Sequence, residues 1–274
     1  MLKTPPRARS QRSPRPSRTR PVPKGAPAPT TISEPSYWQE TRGPLAGLML
    51  VGPLLVIYEA ACLSLAESGG TDVRTGADSW LRAALARMGW TSPWILPASL
   101  ILILLGWQIV RGRGERISLS TLFAMIIESV VLAVALVGVS RLVDLAGAYL
   151  DSSSPRLLRV DPTSRSSAWP SLVGFLGAGV YEEFLFRLLL IPSVYYGLRL
   201  VRMPHVFASA LAVSGAGLCF SLAHHAGVPG EPFTWFAFVF RWFAGVAFGW
   251  IFVIRGFGIA VGTHTAYDIL VGWF

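Results

Sequence analysis

The sequence predicts an all-α fold: a polytopic transmembrane helix bundle of about seven or eight spans behind a disordered, basic N-terminal tail. Three observations carry this. Of 274 residues 52% are hydrophobic and 14% charged, with a mean hydropathy of +0.51, whereas soluble domains carry about 25% charged residues. Several apolar runs approach the roughly 20 residues that a helix needs to cross about 30 Å of hydrocarbon. The charge is also confined: Lys3, Arg7, Arg9, Arg12, Arg15, Arg18, Arg20 and Lys24 precede residue 31 with no acid among them, leaving 16 Arg against all 15 acids elsewhere. The net charge of +9 therefore belongs to a tail, and the nearly neutral remainder fits neither an ordinary soluble enzyme nor a nucleic-acid-binding body.

The tail, residues 1–36, holds nine prolines, eight of them before residue 31, among Ser, Thr and Ala, and no aromatic residue before Tyr37. Such a segment cannot bury enough apolar surface to offset its ordering entropy. It reads as a cytoplasmic tail that orients the first span and touches anionic head groups, with an RNA-binding or docking arm as the other reading. About 40 polar residues before the first apolar run exclude a signal peptide.

Spans are expected at 44–66, 93–110, 119–140, 168–190, 205–223, 233–254 and 256–273. Between the first two, Trp80, Leu81, Leu85 and Met88 at helical spacing suggest a short interfacial helix over 76–90. Residues 141–167, rich in Ser and Arg, read as an external loop with a short amphipathic start. Basic residues near span ends (Arg111, Arg113 and Arg116, then Arg199 and Arg202, then Arg255) place the N-terminus in the cytoplasm, with Arg141, Arg156, Arg159 and Arg165 dissenting. Three regions follow: the tail, membrane spans over 37–167, and a C-terminal membrane region over 168–274. Cys62 and Cys219 lie in apolar runs and read as packing residues.

An ionisable side chain at the centre of a membrane helix costs about 2.5–3.5 kcal/mol, so each needs a partner or a function. Ten such residues stand in or at the ends of the spans: Glu59, Glu128, Glu182, Glu183, Arg187, His224, His225, Arg241, His264 and Asp268. In Tyr181-Glu182-Glu183-Phe184-Leu185-Phe186-Arg187, Glu183 and Arg187 have the favourable i,i+4 order. Glu182, about 100° around an α-helix, has no intrahelical cation, so it is suited to exchange a proton. Alternatively both acids pair with Arg187 and Arg241 and merely tie helices together. Phe220 and His224 share a face at i,i+4, as do His264 and Asp268, where an acid one turn away orients an imidazole or both ligate one ion. Capping of a span end by His224, and an interhelical hydrogen bond by His264, are the structural alternatives. Taken together, the three groups can activate water, with a glutamate as general base or with a divalent metal.

The order E-E-x-x-x-R, F-x-x-x-H and H-x-x-x-N/D resembles the CPBP intramembrane proteases, which include type II CAAX prenyl endopeptidases and bacterial relatives linked to bacteriocin self-immunity. The resemblance covers about residues 168–272. It implies that Glu182 activates water, that Glu183 supports it with Arg187 as structural partner, and that His224 and His264 hold the water, the oxyanion or a metal. Asp268 stands where many members carry Asn, and its extra negative charge suits a cation. Phe220 belongs to the second motif, and Arg241 is a candidate counter-ion for the acids. The cofactor is either one divalent metal such as zinc, on His224, His264 and Glu182, or none.

The expected function is therefore an intramembrane endopeptidase that cleaves a membrane-tethered peptide, either the C-terminal segment of a lipidated or membrane-anchored protein or a sorting tail. Its expected partners are that protein and the bilayer, not nucleic acid, and its expected location is a bacterial inner membrane. The alternative is a non-catalytic binding or immunity protein of the same fold; a proton-coupled carrier is disfavoured by the lack of inverted repeats. Counting residues sets a condition on any single site. Glu182 falls two thirds of the way toward the cytoplasmic side and His224 at an outer end, so straight spans would keep them apart. Either helix continues through 190–204, or some spans are short and tilted around a cavity.

Overall fold

A computed structural model of the protein describes residues 36–67, 73–112, 117–150, 168–226 and 232–273. The basic tail, residues 151–167 of the expected external loop and the loop arginines Arg113, Arg116, Arg156, Arg159 and Arg165 lie outside the described residues. Among the described residues every regular element is helical: α1 (Tyr37–Thr41), α2 (Pro44–Glu67), α3 (Gly76–Arg87), α4 (Ile95–Arg111), α5 (Leu119–Leu150), α6 (Ala168–Gly177), two π-helical segments (Ala178–Glu182 and Phe184–Leu190), α7 (Ile191–Leu200), α8 (His205–Ala223), α9 (Trp235–Arg255) and α10 (Phe257–Trp273).

The boundaries follow local chemistry. Thr75 caps α3 by accepting from the Asp78 amide at 3.4 Å, and Thr234 caps α9 by accepting from the Ala237 amide at 3.2 Å. Gly112 ends α4 in the left-handed region, at φ 64°. Pro204, which lacks an amide donor, stands just before α8.

Among the described residues four helices are long and apolar enough to cross a membrane: Pro44–Glu67, Leu119–Gly147, His205–Ala223 and Trp235–Arg255. The expected count of seven or eight spans is not reached by that measure. Ile95–Arg111 is apolar but only 17 residues long, as is α10. The expected span over 168–190 is the first part of a longer rod that gains the ten residues of α7. Residues 141–150, expected to open an external loop, continue α5 instead, because Leu142, Val143, Leu145 and Ala146 keep that stretch apolar. The interfacial helix expected over 76–90 is present as α3.

One core forms where α2 and α4 meet the first π segment, around Val51, Leu55, Tyr58, Leu100, Val180 and Tyr181. α8 and α9 pack closely because glycines face each other: a Cβ at Gly245 would lie 2.8 Å from the Gly217 Cα, so larger residues would force the backbones apart. Ser221 strengthens this contact by donating to the Phe238 carbonyl at 2.6 Å, and Trp242 Nε1 donates to the Ser214 carbonyl at 3.1 Å. α10 lies against α2, α5, α9 and the first π segment, so His264 faces Glu182 and Glu183. Cys62 is buried as expected, whereas Cys219 is exposed on α8.

Candidate functional site

The rod over 168–200 changes its winding at the first motif. π-helices are rare and mostly confined to single turns, often at functional sites; here two π segments flank Glu183. Adjacent residues on an α-helix do not face the same partner. The wider π turn rotates less per residue, and both acids reach one imidazole. Glu183 Oε1 is 2.7 Å from His264 Nδ1, and Glu182 Oε2 is 3.9 Å from His264 Nε2. Asp268, one turn along α10, brings Oδ2 to 3.6 Å from the same Nε2. Thr265 touches Gly179 so closely that any Cβ there would overlap its hydroxyl, which fixes the height of α10 against the π turn.

Glu183 and Arg187 form the expected i,i+4 pair, with Arg187 Nε 3.1 Å from Glu183 Oε2. Both side chains are buried, at 0% and 1% exposure. The contact is an ion pair by proximity and not a hydrogen bond, since Glu183 Oε2 and Arg187 Nη1 have no hydrogen-bond partner. Aromatic faces surround the guanidinium instead: its Cζ lies 4.6 Å from the Phe220 ring centroid and 5.5 Å from that of Phe248. Phe248 also stacks on His264, with centroids 4.7 Å apart and planes at 22°.

Phe220 joins the second motif to the others. Its ring lies 4.7 Å from His224 and 6.0 Å from His264. His224 makes no direct polar contact with the acids; its Nδ1 is 2.9 Å from the carbonyl of Phe220 on its own helix. The structure thus brings together Glu182, Glu183, Arg187, His264 and Asp268, with His224 at the rim behind Phe220. Arg241 lies on α9, one of the helices packed against α10. His225 packs against Phe233 and Phe238.

Each histidine has Nδ1 directed to an acceptor, a carboxylate for His264 and a carbonyl for His224, which leaves each Nε2 for water, substrate or a metal. That donor chemistry suits a divalent ion such as zinc. Among the described residues, however, no three His, Cys, Asp or Glu side chains are grouped to hold one.

Sequence reasoning missed two contributors. Phe248 carried no signal, being one of 15 phenylalanines. A second buried polar cluster also went unseen, beside the π turn. There Tyr58 donates to Asp78 Oδ2 at 2.8 Å, Arg82 reaches Asp78 Oδ1 at 2.6 Å and Glu59 Oε1 at 2.7 Å, and Tyr181 donates to Glu59. The i,i+4 spacing of Arg74, Asp78 and Arg82 was the available signal.

No curated protein and no solved structure matches the chain. Residues 164–270, which hold all three motifs on the helices that build this site, match the family model described as type II CAAX prenyl endopeptidase Rce1-like, a protease family.

Proposed function

We propose that the protein is an intramembrane endopeptidase in which Glu182 activates water against a membrane-tethered peptide. The observation that carries this reading is the His264 imidazole held between acids, with Glu183 on Nδ1 and both Glu182 and Asp268 near Nε2. A carboxylate only accepts, so Nδ1 donates to Glu183, and Nε2 is left toward Glu182 and Asp268. The 3.9 Å between that nitrogen and Glu182 is too long for a direct hydrogen bond and short enough for one water to bond to both. Glu182 takes a proton from that water as its oxygen attacks the scissile carbonyl. The C–N bond then breaks, and the proton passes from Glu182 to the leaving amine. His224 is assigned to the carbonyl side, as the donor to the developing oxyanion. If a divalent metal is bound, His224, His264 and Glu182 are its candidate ligands, and it would supply Lewis-acid activation of the water.

The substrate is membrane-tethered because the site lies among apolar helices. We place the N-terminus in the cytoplasm, because Arg42 and Arg111 line one cavity at the end of the bundle that also carries Arg199, Arg202 and Arg255, and the membrane in a bacterial cell, because 22 of the 24 basic residues are Arg. The regions 1–36, 37–167 and 168–274 are proposed as tail, supporting spans and catalytic part.

The test compares membrane-protein precursors in cells carrying wild-type protein or Glu182→Gln. The variant keeps the shape of the side chain and is expected to lose about 10²–10⁴-fold in cleavage, the usual contribution of a general base. Cleavage at the wild-type rate by normally inserted Glu182→Gln protein would refute the assignment. Treating purified protein with a chelator separates the two modes of activation. Activity that persists assigns the step to Glu182 alone, and activity lost and then restored by zinc adds the histidines as ligands.

A further inference from the structure

α8 starts at His205, whose Nδ1 is 2.7 Å from the Tyr195 hydroxyl, and ends at His224. Tyr195 therefore marks the end of the bundle opposite His224. At that end a cavity of about 510 Å³ is lined by α1, the turn between α1 and α2, the last turns of α4 and α9, α7 and α8. Arg42, Arg111, Tyr195, Tyr196, Trp107 and Phe252 line it, and among the described residues no carboxylate does.

The chemistry of that wall is specific. Arg42 Nη2 donates to the Val253 carbonyl at 3.1 Å, which holds the guanidinium over the last turn of α9 with only one of its five donors used in that bond. Arg111 is the last residue of α4. Both positive charges thus stand at helix C-termini, where they more than balance the partial negative charge of the exposed carbonyls. Tyr196 and Trp107 are 66% and 39% exposed, as aromatic rings are at the boundary between hydrocarbon and water. Phe252 extends the wall into apolar surface. A site with paired guanidinium forks, phenol donors and an apolar flank matches a phosphate carried on acyl chains better than it matches a free ion. The volume is within the range of small-molecule sites.

We propose that this cavity binds one anionic glycerophospholipid, with its phosphate between Arg42 and Arg111 and its acyl chains along Trp107 and Phe252. The lipid bridges the α1–α2 turn, α4, α7 and α9. Its binding is independent of the peptidase reading, because none of these residues belongs to the His264 cluster and the test needs no activity.

Full-length protein in neutral detergent would be mixed with phosphatidylglycerol, with phosphatidylcholine of the same acyl chains, or with inorganic phosphate. Retained lipid is read by native mass spectrometry and thermal stabilisation by unfolding midpoint. The expected result is one retained phosphatidylglycerol, raising the midpoint more than phosphatidylcholine does. Arg111→Gln is expected to weaken that retention about tenfold, equivalent to about 1.4 kcal/mol, and Arg42→Gln with Arg111→Gln to abolish the preference. Arg111→Gln alone carries the test if loss of the Arg42 contact to α9 prevents folding. Equal retention of the two lipids, or an unchanged preference in Arg111→Gln, overturns the proposal. Stabilisation by inorganic phosphate equal to that by phosphatidylglycerol also overturns it, assigning the cavity to a free anion.

Discussion

Two polar clusters are buried in this apolar bundle within one helical turn of each other, and they are completed to different degrees. Around α3, Asp78 accepts from Tyr58, Arg74 and Arg82, and Glu59 accepts from Arg82 and Tyr181, with Arg74 also 3.7 Å away. Around His264, Glu183 Oε2 and Arg187 Nη1 have no hydrogen-bond partner, and the carboxylates of Glu182 and Asp268 stop at 3.9 and 3.6 Å from one nitrogen. A saturated network can only hold helices together. An unsaturated one retains hydrogen-bonding capacity for a third party, at a cost in stability that must be offset elsewhere in the fold. This contrast is what the proposed function expects of one cluster that holds helices and another that reacts.

The comparison can be broken most forcefully at Arg187. Replacing it with Met keeps the bulk among Phe220 and Phe248 but leaves Glu183, at 0% exposure, without its cation. Removing one partner of a buried pair costs about 3–5 kcal/mol, so Arg187→Met is expected to unfold at much lower denaturant than wild type. Glu182→Gln, whose side chain is 15% exposed and lacks a close cation, is expected to unfold with wild type. Equal stability of all three proteins would mean that Glu183 and Arg187 do not form the structural half of the site.

These two clusters also differ in how far the sequence disclosed them. Glu182, Glu183, Arg187, His264 and Asp268 stood out because each is an expensive residue in an apolar run, and i,i+4 spacing identified the Glu183–Arg187 and His264–Asp268 neighbours. Spacing did not disclose the π winding, since nothing in Ala178–Glu182 distinguishes a π turn from an α turn by periodicity. It therefore missed that adjacent acids share one histidine. The mismatch in depth between Glu182 and His224 had the same origin: the rod does not stop at residue 190 but runs on through Leu200, which moves Glu182 toward the end of the bundle where His224 lies. The α3 cluster was obscured because Arg74, Asp78 and Arg82 are ordinary on an interfacial helix, and only tertiary contact with Tyr58 and Glu59 buries Asp78. The fold class was legible from hydropathy alone. The number of crossings was not, because apolar helices such as Ile95–Arg111 fall short of the length that composition suggests.

Asp78→Asn tests the saturated cluster. It removes the charge from a side chain at 0% exposure that serves two guanidinium groups, yet Arg74 and Arg82 are 18% and 20% exposed and can be solvated in part. The expected loss is about 2–3 kcal/mol, below that of a fully buried pair, measured by denaturant unfolding in the same detergent. Cleavage per folded molecule should stay close to wild type. A variant of full stability that fails to cleave would move Asp78 from holding to chemistry.

The smallest expected effect is the most discriminating, because Tyr181 belongs to both clusters. Its hydroxyl donates to Glu59 and its ring lies edge-on to Tyr58, at 5.5 Å between centroids, while the next two residues are the acids of the site. Tyr181→Phe keeps the ring and removes one hydrogen bond, which should lower stability by about 1 kcal/mol. If the α3 cluster only supports the bundle, cleavage falls in proportion to the folded fraction and no further. If it also sets the angle of the π turn, the loss falls on kcat with KM unchanged, because Glu182 shifts against His264 while the route for the substrate is untouched. A parallel Tyr58→Phe variant loses the Asp78 bond without touching the π turn directly. A kcat loss confined to Tyr181→Phe therefore assigns the effect to the alignment of Glu182, and equal losses in both variants assign it to general loosening of the helices.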